Sequence, residues 1–261
     1  MRGFLIKKRI TLCLSLLSFA LFCRSNDIAS YLISYPQTIY EAAKSPLQWQ
    51  TEDWHKAGCI IFIGGSLYLF DGEINDLVQK NANSVSNSVS DAVRQFGNGR
   101  YMLSALVLTG TGGYIFHDQT LQETALLGIK SFFLANGTSI SLKYLTQRQR
   151  PLSEEGKQFW NGEGFVRKRD SFPSGHATVV WSLAPIIAEQ YKNVKLVPPL
   201  AYSIAALTSL SRINDEKHWA SDVFTGAVIG YYSSQLVLKT TPLFSVQAGT
   251  DLKSLQISFK F

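Results

Sequence analysis

The sequence predicts an all-α fold, a single helical bundle followed by a short C-terminal β-hairpin. From Trp54 onward the apolar segments have the length of helices and are separated by short polar breaks. Of the 261 residues 46% are apolar and 17% charged, against about 25% charge in an average soluble domain, so the composition leans toward membrane association. After Pro242 the pattern changes to alternating apolar and polar residues around Gly249-Thr250-Asp251, a hairpin signature.

Residues 1–25 read as an export signal or an N-terminal anchor. Arg2, Lys7, Lys8 and Arg9 precede an uncharged run from Ile10 to Cys23, too short to span a bilayer comfortably, and small residues follow near Ser25. Cys13 and Cys23 fall inside this segment, so no disulfide framework is implied. Cys59, in the apolar run Gly58 to Ile63, is expected to be a buried thiol.

Residues 26–241 are expected to form one helical domain, with helices at about 55–70, 87–95, 100–117, 121–147, 175–191, 198–211 and 218–238. Asn81 to Ser90 reads as a polar loop or helix start. Residues 242–261 form the hairpin tail, with strands Phe244 to Ala248 and Leu252 to Phe261. The longest runs without a charged residue or histidine after the signal are Tyr101 to Phe116, Leu196 to Ser211 and Val223 to Leu238, each of 16 residues. An unambiguous transmembrane helix needs about 18. This favours a periplasmic or peripheral place in the cell envelope over the alternative, a multi-pass protein with its site on the outer side.

The net charge of +6 suits an anionic partner. Phosphate esters and an anionic lipid surface explain it as well as ordinary surface basicity does, and no basic helix or basic-aromatic motif supports nucleic acid. The sequence leaves the oligomeric state open.

Three clusters carry chemistry. In the first, Lys143 precedes Arg150-Pro151 by seven residues, almost two helical turns, so both cations can project from one face near a helix end. Alone, such a pair more often compensates the helix dipole at the surface. In the second, Ser174, Gly175 and His176 open an apolar helix: Ser174 stands at the N-cap position, and Gly175 admits a ligand to unpaired backbone amides. Alone, this is equally a capped helix with an incidental histidine. In the third, Arg212 is followed by His218 and Asp222, four apart, so that a carboxylate can fix the imidazole tautomer. With four histidines, no Cys pair and no His-Glu-x-x-His, a zinc site lacks ligands.

In this order, Lys-x6-Arg-Pro, Pro-Ser-Gly-His and Ser-Arg-x5-His-x3-Asp, the motifs resemble the signature of the type-2 phosphatidic acid phosphatase and vanadium haloperoxidase superfamily over residues 143–222. The resemblance implies a metal-independent phosphatase without a cofactor. His218 would be phosphorylated, Asp222 would hold its ring and His176 would protonate the leaving oxygen. Lys143, Arg150, Ser174, Gly175 and Arg212 would bind the phosphate. The implied substrate is a phosphorylated lipid or a small phosphate ester. Vanadate is expected as an inhibitor, or as the cofactor in the alternative of a haloperoxidase; a soluble non-specific acid phosphatase is a further alternative. The connection from Ser153 to Ser171 joins two of the motifs, and Trp160, Phe165 and Arg167 in it are candidates for a substrate lid.

Overall fold

The computed structural model describes residues 25–153, 159–162, 164, 169–241, 244–247 and 256–259. Apart from Ser25, the expected signal or anchor lies outside them. The described helices, in chain order, are α1 (Ser25–Lys44), α2 (Thr51–Leu69), α3 (Asp71–Asn81), α4 (Ser84–Val93), α5 (Gly99–Ile115), α6 (Gln119–Thr146), α7 (Gly175–Gln190), α8 (Val197–Asn214) and α9 (Ala220–Thr240). Strands β1 (Phe244–Gln247) and β2 (Gln256–Phe259) pair antiparallel, with Phe244 opposite Phe259. The rest of the expected strands and the expected turn lie outside the described residues.

Local chemistry explains several helix starts. The Asn98 side chain accepts from Arg100 N at the head of α5, and Asp118 accepts from Leu121 N at the head of α6. Asn83 and Ser86 form a reciprocal capping box, which starts a helix where the polar run left loop and helix both open. Two helices were not expected. α1 is fastened by hydroxyls rather than by an apolar stripe: Lys130 Nζ donates to Ser34 Oγ and Thr241 Oγ1, and Thr38 Oγ1 meets Thr240 Oγ1. α3 follows α2 after a 64° bend, and its first residue, Asp71, is fully buried.

The core is built around α7, buried on nearly every side, as expected of a central helix. Val179 and Leu183 pack with Leu106, Ile129 and Phe132 of α5 and α6. Ala177 packs with Ile213, Ala220 and Val223 of α8 and α9. α9 approaches α7 closely at Gly226, where an added Cβ would stand 2.5 Å from Ser174 O. α2 buries none of its residues fully, so Cys59 is exposed rather than a core thiol.

Lys143 Nζ donates to Pro173 O, Ser174 N donates to Asp222 O, and His218 N donates to Arg212 O. These bonds gather the C-terminal ends of α6 and α8 and the N-terminal ends of α7 and α9 at one end of the bundle. Two helix N-termini therefore contribute positive potential at the place where the motifs meet.

Candidate active site

The sequence motifs converge at this end, though by a different geometry from the one their spacing suggested. α6 stops at Thr146 and the chain turns through Gln147 at φ 40°, so Arg150 lies beyond the helix rather than on a shared face with Lys143. Asp170 brings the two cations together. Lys143 Nζ donates to Asp170 O at 2.5 Å and to Pro173 O at 2.6 Å, while Arg150 NH2 meets Asp170 Oδ1 at 2.9 Å. Arg212, at the end of α8, pairs with Asp215 at 2.6 Å.

Ser174 occupies the N-cap position of α7, but its side chain makes no capping bond. Its Oγ is buried and has no hydrogen-bond partner among the described residues, which leaves it as a donor for a ligand oxygen. Gly175 is the first residue of α7 and stands beside the Lys143 stem. His176 follows in the same turn, and Gly97, from the turn after α4, packs against it.

His218 lies before α9 begins, not on it. Its Nδ1 is 4.0 Å from Asp222 Oδ2 but 2.7 Å from Ser171 O. Asp222 therefore reaches the imidazole through Ser171, whose Oγ donates to Asp222 Oδ2 at 2.5 Å. A carbonyl oxygen can only accept, so the contact with Ser171 places the proton on Nδ1 and leaves Nε2 with a free lone pair.

Electrostatics give the two histidines their character. Burial, then the positive charges of Lys143, Arg150 and Arg212, hold the His218 imidazolium well below the usual histidine range, so the ring is neutral at pH 7. His176 is lowered to about 4 by burial and by the field of Arg212, Arg150 and Lys143. Both imidazoles thus face the same three cations, which is the arrangement an anion between them would neutralise.

Other residues of the site were not singled out in the sequence. Arg148 is fully buried between Asp71 and Asp222, at 2.7 Å and 2.5 Å. Its guanidinium lies over the Tyr68 and Trp160 rings, each 4.9 Å from centroid to Cζ. Of the lid candidates, Trp160 pairs with Arg148 in an isolated antiparallel bridge and donates from Nε1 to Tyr68 OH at 3.2 Å. Phe165 and Arg167 lie outside the described residues. Beside this loop a cavity of about 390 Å³ opens between α2 and α9, lined mainly by apolar side chains such as Ile61, Phe172, Phe224 and Val228.

The profile of the PAP2 superfamily matches residues 125–244, a segment that holds every motif residue named above. Over this segment, a little under half of its length, the chain is similar to the PAP2 superfamily. The chain also aligns with a lipid A 1-phosphatase of Porphyromonas gingivalis, 33% identical over 102 residues, covering 34% of this chain and 23% of that protein. The alignment thus spans about a quarter of the relative's length. Two crystal structures share the fold. Aquifex aeolicus LpxE superposes with a TM-score of 0.50 at 23% identity, covering 64% of this chain and 93% of that one. A transmembrane PAP2-type phosphatidylglycerolphosphate phosphatase from Bacillus subtilis superposes with a TM-score of 0.51 at 22% identity, covering 69% and 93%.

Proposed function

We propose that this chain hydrolyses phosphorylated lipids without a metal ion, through a phosphohistidine on His218. The observation that carries the reading is the Nδ1 contact of His218 with Ser171 O, which leaves Nε2 unprotonated on a ring that lies in the field of Lys143, Arg150 and Arg212. In the proposed first step, Nε2 attacks phosphorus, the bond from phosphorus to the ester oxygen breaks, and His176 gives its proton to that oxygen. The cations, Ser174 Oγ and the amides at the start of α7 stabilise charge on the equatorial oxygens. In the second step, neutral His176 takes a proton from water, which attacks the phosphohistidine. Phosphate leaves, and His176 is again protonated.

A lipid substrate is supported by the apolar cavity next to the site: Phe172 lines it and belongs to the same short segment as Ser171 and Ser174. The names of the similar proteins, a lipid A 1-phosphatase and a phosphatidylglycerolphosphate phosphatase, favour this class over haloperoxidase chemistry.

Membrane association is part of the same proposal. α2, α5, α6 and α8 expose Ile61, Phe62, Leu108, Phe133 and Leu207, and α6 is long and apolar enough to cross a bilayer. α2 with α3 would make a second, bent span.

The test is to trap the intermediate. Brief incubation with a 32P-labelled lipid phosphate, followed by denaturation, should give an acid-labile, base-stable phosphoenzyme in the wild type and none in His218→Ala. Turnover by His218→Ala at the wild-type rate would end the mechanism. Fractionation of cells with an assay of both fractions tests the location, and activity confined to the soluble fraction would overturn it.

A further inference from the structure

The Arg148 side chain lies in the site but cannot touch a phosphate, because it is fully buried and enclosed by the rings of Tyr68, Trp160 and Trp219. Its bonds point elsewhere. NH1 donates to Asp222 Oδ1 at 2.5 Å and to Ser221 Oγ at 2.8 Å, and NH2 donates to Asp71 Oδ2 at 2.7 Å. Ser221 closes the far side by donating to both Asp71 oxygens, from N at 2.9 Å and from Oγ at 2.5 Å. The fork of the guanidinium is thus fixed in one orientation by α3 and α9 together.

What Arg148 fixes in turn is Ser171, which it grips at two points. The Arg148 carbonyl accepts from Ser171 N at 3.0 Å. The Arg148 side chain holds Asp222, whose other oxygen accepts from Ser171 Oγ at 2.5 Å. With its amide and hydroxyl both tied, Ser171 presents its carbonyl to His218 Nδ1 at 2.7 Å. We propose that Arg148, anchored by Asp71, is a positioning residue that sets the tautomer and aim of His218 through Ser171. This rests on the phosphohistidine reading for its kinetic consequence, but not for the state of the imidazole.

The arrangement also accounts for the buried carboxylate of α3. Asp71 and Asp222 together carry one negative charge more than Arg148 neutralises, and such an excess is tolerated where serine hydroxyls and backbone amides supply donors. Ser221 and Ser171 provide the hydroxyls, and the amides of Ser221 and Trp219 provide the rest.

The test compares two variants with the wild type. Arg148→Gln combined with Asp71→Asn removes one positive and one negative charge, so the buried net charge is unchanged. Arg148→Lys keeps the charge and loses the fork. In either, kcat should fall by about 10- to 100-fold, as for loss of a supporting shell. KM and the vanadate inhibition constant should change by less than about 3-fold, since Lys143, Arg150 and Arg212 still bind the anion.

Nitrogen-15 spectra of labelled histidine should show His218 protonated at Nδ1 in the wild type and a mixture of tautomers in the double variant. That readout stands even if the chain proves not to be a phosphatase. An unchanged His218 tautomer overturns the proposal. A loss of vanadate binding in step with the loss of kcat overturns it too, because the pocket would then have collapsed. If the double variant fails to fold, full activity of Arg148→Lys would do the same.

Discussion

Gly97 abuts His176: a Cβ built on the glycine would stand 2.6 Å from both Cβ and Cδ2 of the histidine. Gly97 is held there because its turn packs between α7 and α8, and because Thr208 Oγ1 of α8 donates to Val93 O just before it. A methyl group at this position must push the imidazole aside. Displacement of a catalytic group by about 1 Å can cost about 100-fold in rate. Gly97→Ala should therefore lower kcat/KM, which reports only the steps through departure of the leaving group, by about 10- to 100-fold on an alkyl phosphate, whose leaving oxygen needs a proton. It should affect p-nitrophenyl phosphate much less, because that leaving group departs without one. Equal losses on the two substrates would show that Gly97 supports the fold rather than the acid.

The two lowered histidines predict a pH dependence of stability with a definite sign. Folded His218 and His176 are neutral near pH 6, whereas in the unfolded chain both titrate at about 6.5. The unfolded state then binds more protons, so stability is present above about pH 6.5 and is lost as the pH falls through that value. The loss amounts to about 1.4 kcal/mol per pH unit for each histidine down to its folded value. Thermal unfolding of the detergent-solubilised protein at pH 7.5 and 5.5 measures it, and a higher Tm at pH 5.5 would contradict the burial of both rings.

For catalysis the same field acts in the opposite sense once substrate is bound. Burial, then the field of Arg212, Arg150 and Lys143, lowers His176 to about 4; a phosphate dianion between the cations offsets the second of these, and the proton affinity of the ring rises. The alkaline limb of kcat, which reports the complex, should therefore lie at higher pH than that of kcat/KM, which reports the free enzyme. A kcat limb at or below that of kcat/KM would remove His176 from the role of acid.

The candidate site residues that meet at this end of the bundle were legible in the sequence because the proposed chemistry restricts their type: cations, an amide-rich helix start and two imidazoles have few substitutes. Their mutual geometry was not. The spacing of Lys143 and Arg150 suggested one helix face, whereas the helix ends at Thr146 and Asp170 joins the two from across the connection. The spacing of His218 and Asp222 suggested direct pairing, whereas Ser171 stands between them.

Arg148 and Asp71 lie 77 residues apart, and no local pattern relates them. One faint signal existed: a carboxylate at the end of the apolar stretch Leu67 to Phe70, which if buried must find a cation. α1 was missed because hydroxyl contacts, which leave no periodic apolar stripe, hold it to the bundle.

Metal removal separates this site from the metallophosphatases. In the proposed mechanism three cationic side chains and two helix N-termini do what a metal ion does in those enzymes, neutralising the transferring phosphoryl group. Activity should survive dialysis against EDTA within about 2-fold, while vanadate, as an analogue of the five-coordinate transition state, should inhibit competitively at far lower concentration than phosphate. Loss of activity on chelation, restored by zinc or magnesium, would contradict the reading.

Trp160, one of the lid candidates, meets the site by two surfaces. One face covers Arg148, while its edge meets Phe172 at 5.3 Å between centroids and the ring lines the apolar cavity. A long acyl chain in that cavity would touch the indole, and a small aryl phosphate would not. Trp160→Leu keeps an apolar wall and should retain activity on lipid phosphates within about 3-fold. Trp160→Ser forfeits the contact, worth about 1.5 kcal/mol or more for a large apolar side chain. It should lower kcat/KM about 10-fold or more on a lipid phosphate and leave p-nitrophenyl phosphate nearly unchanged. Equal losses on both substrates would mean that Trp160 acts by shielding Arg148 rather than by meeting the lipid, because a disturbed His218 slows every substrate alike. No loss on either would place the substrate's apolar part elsewhere on the bundle.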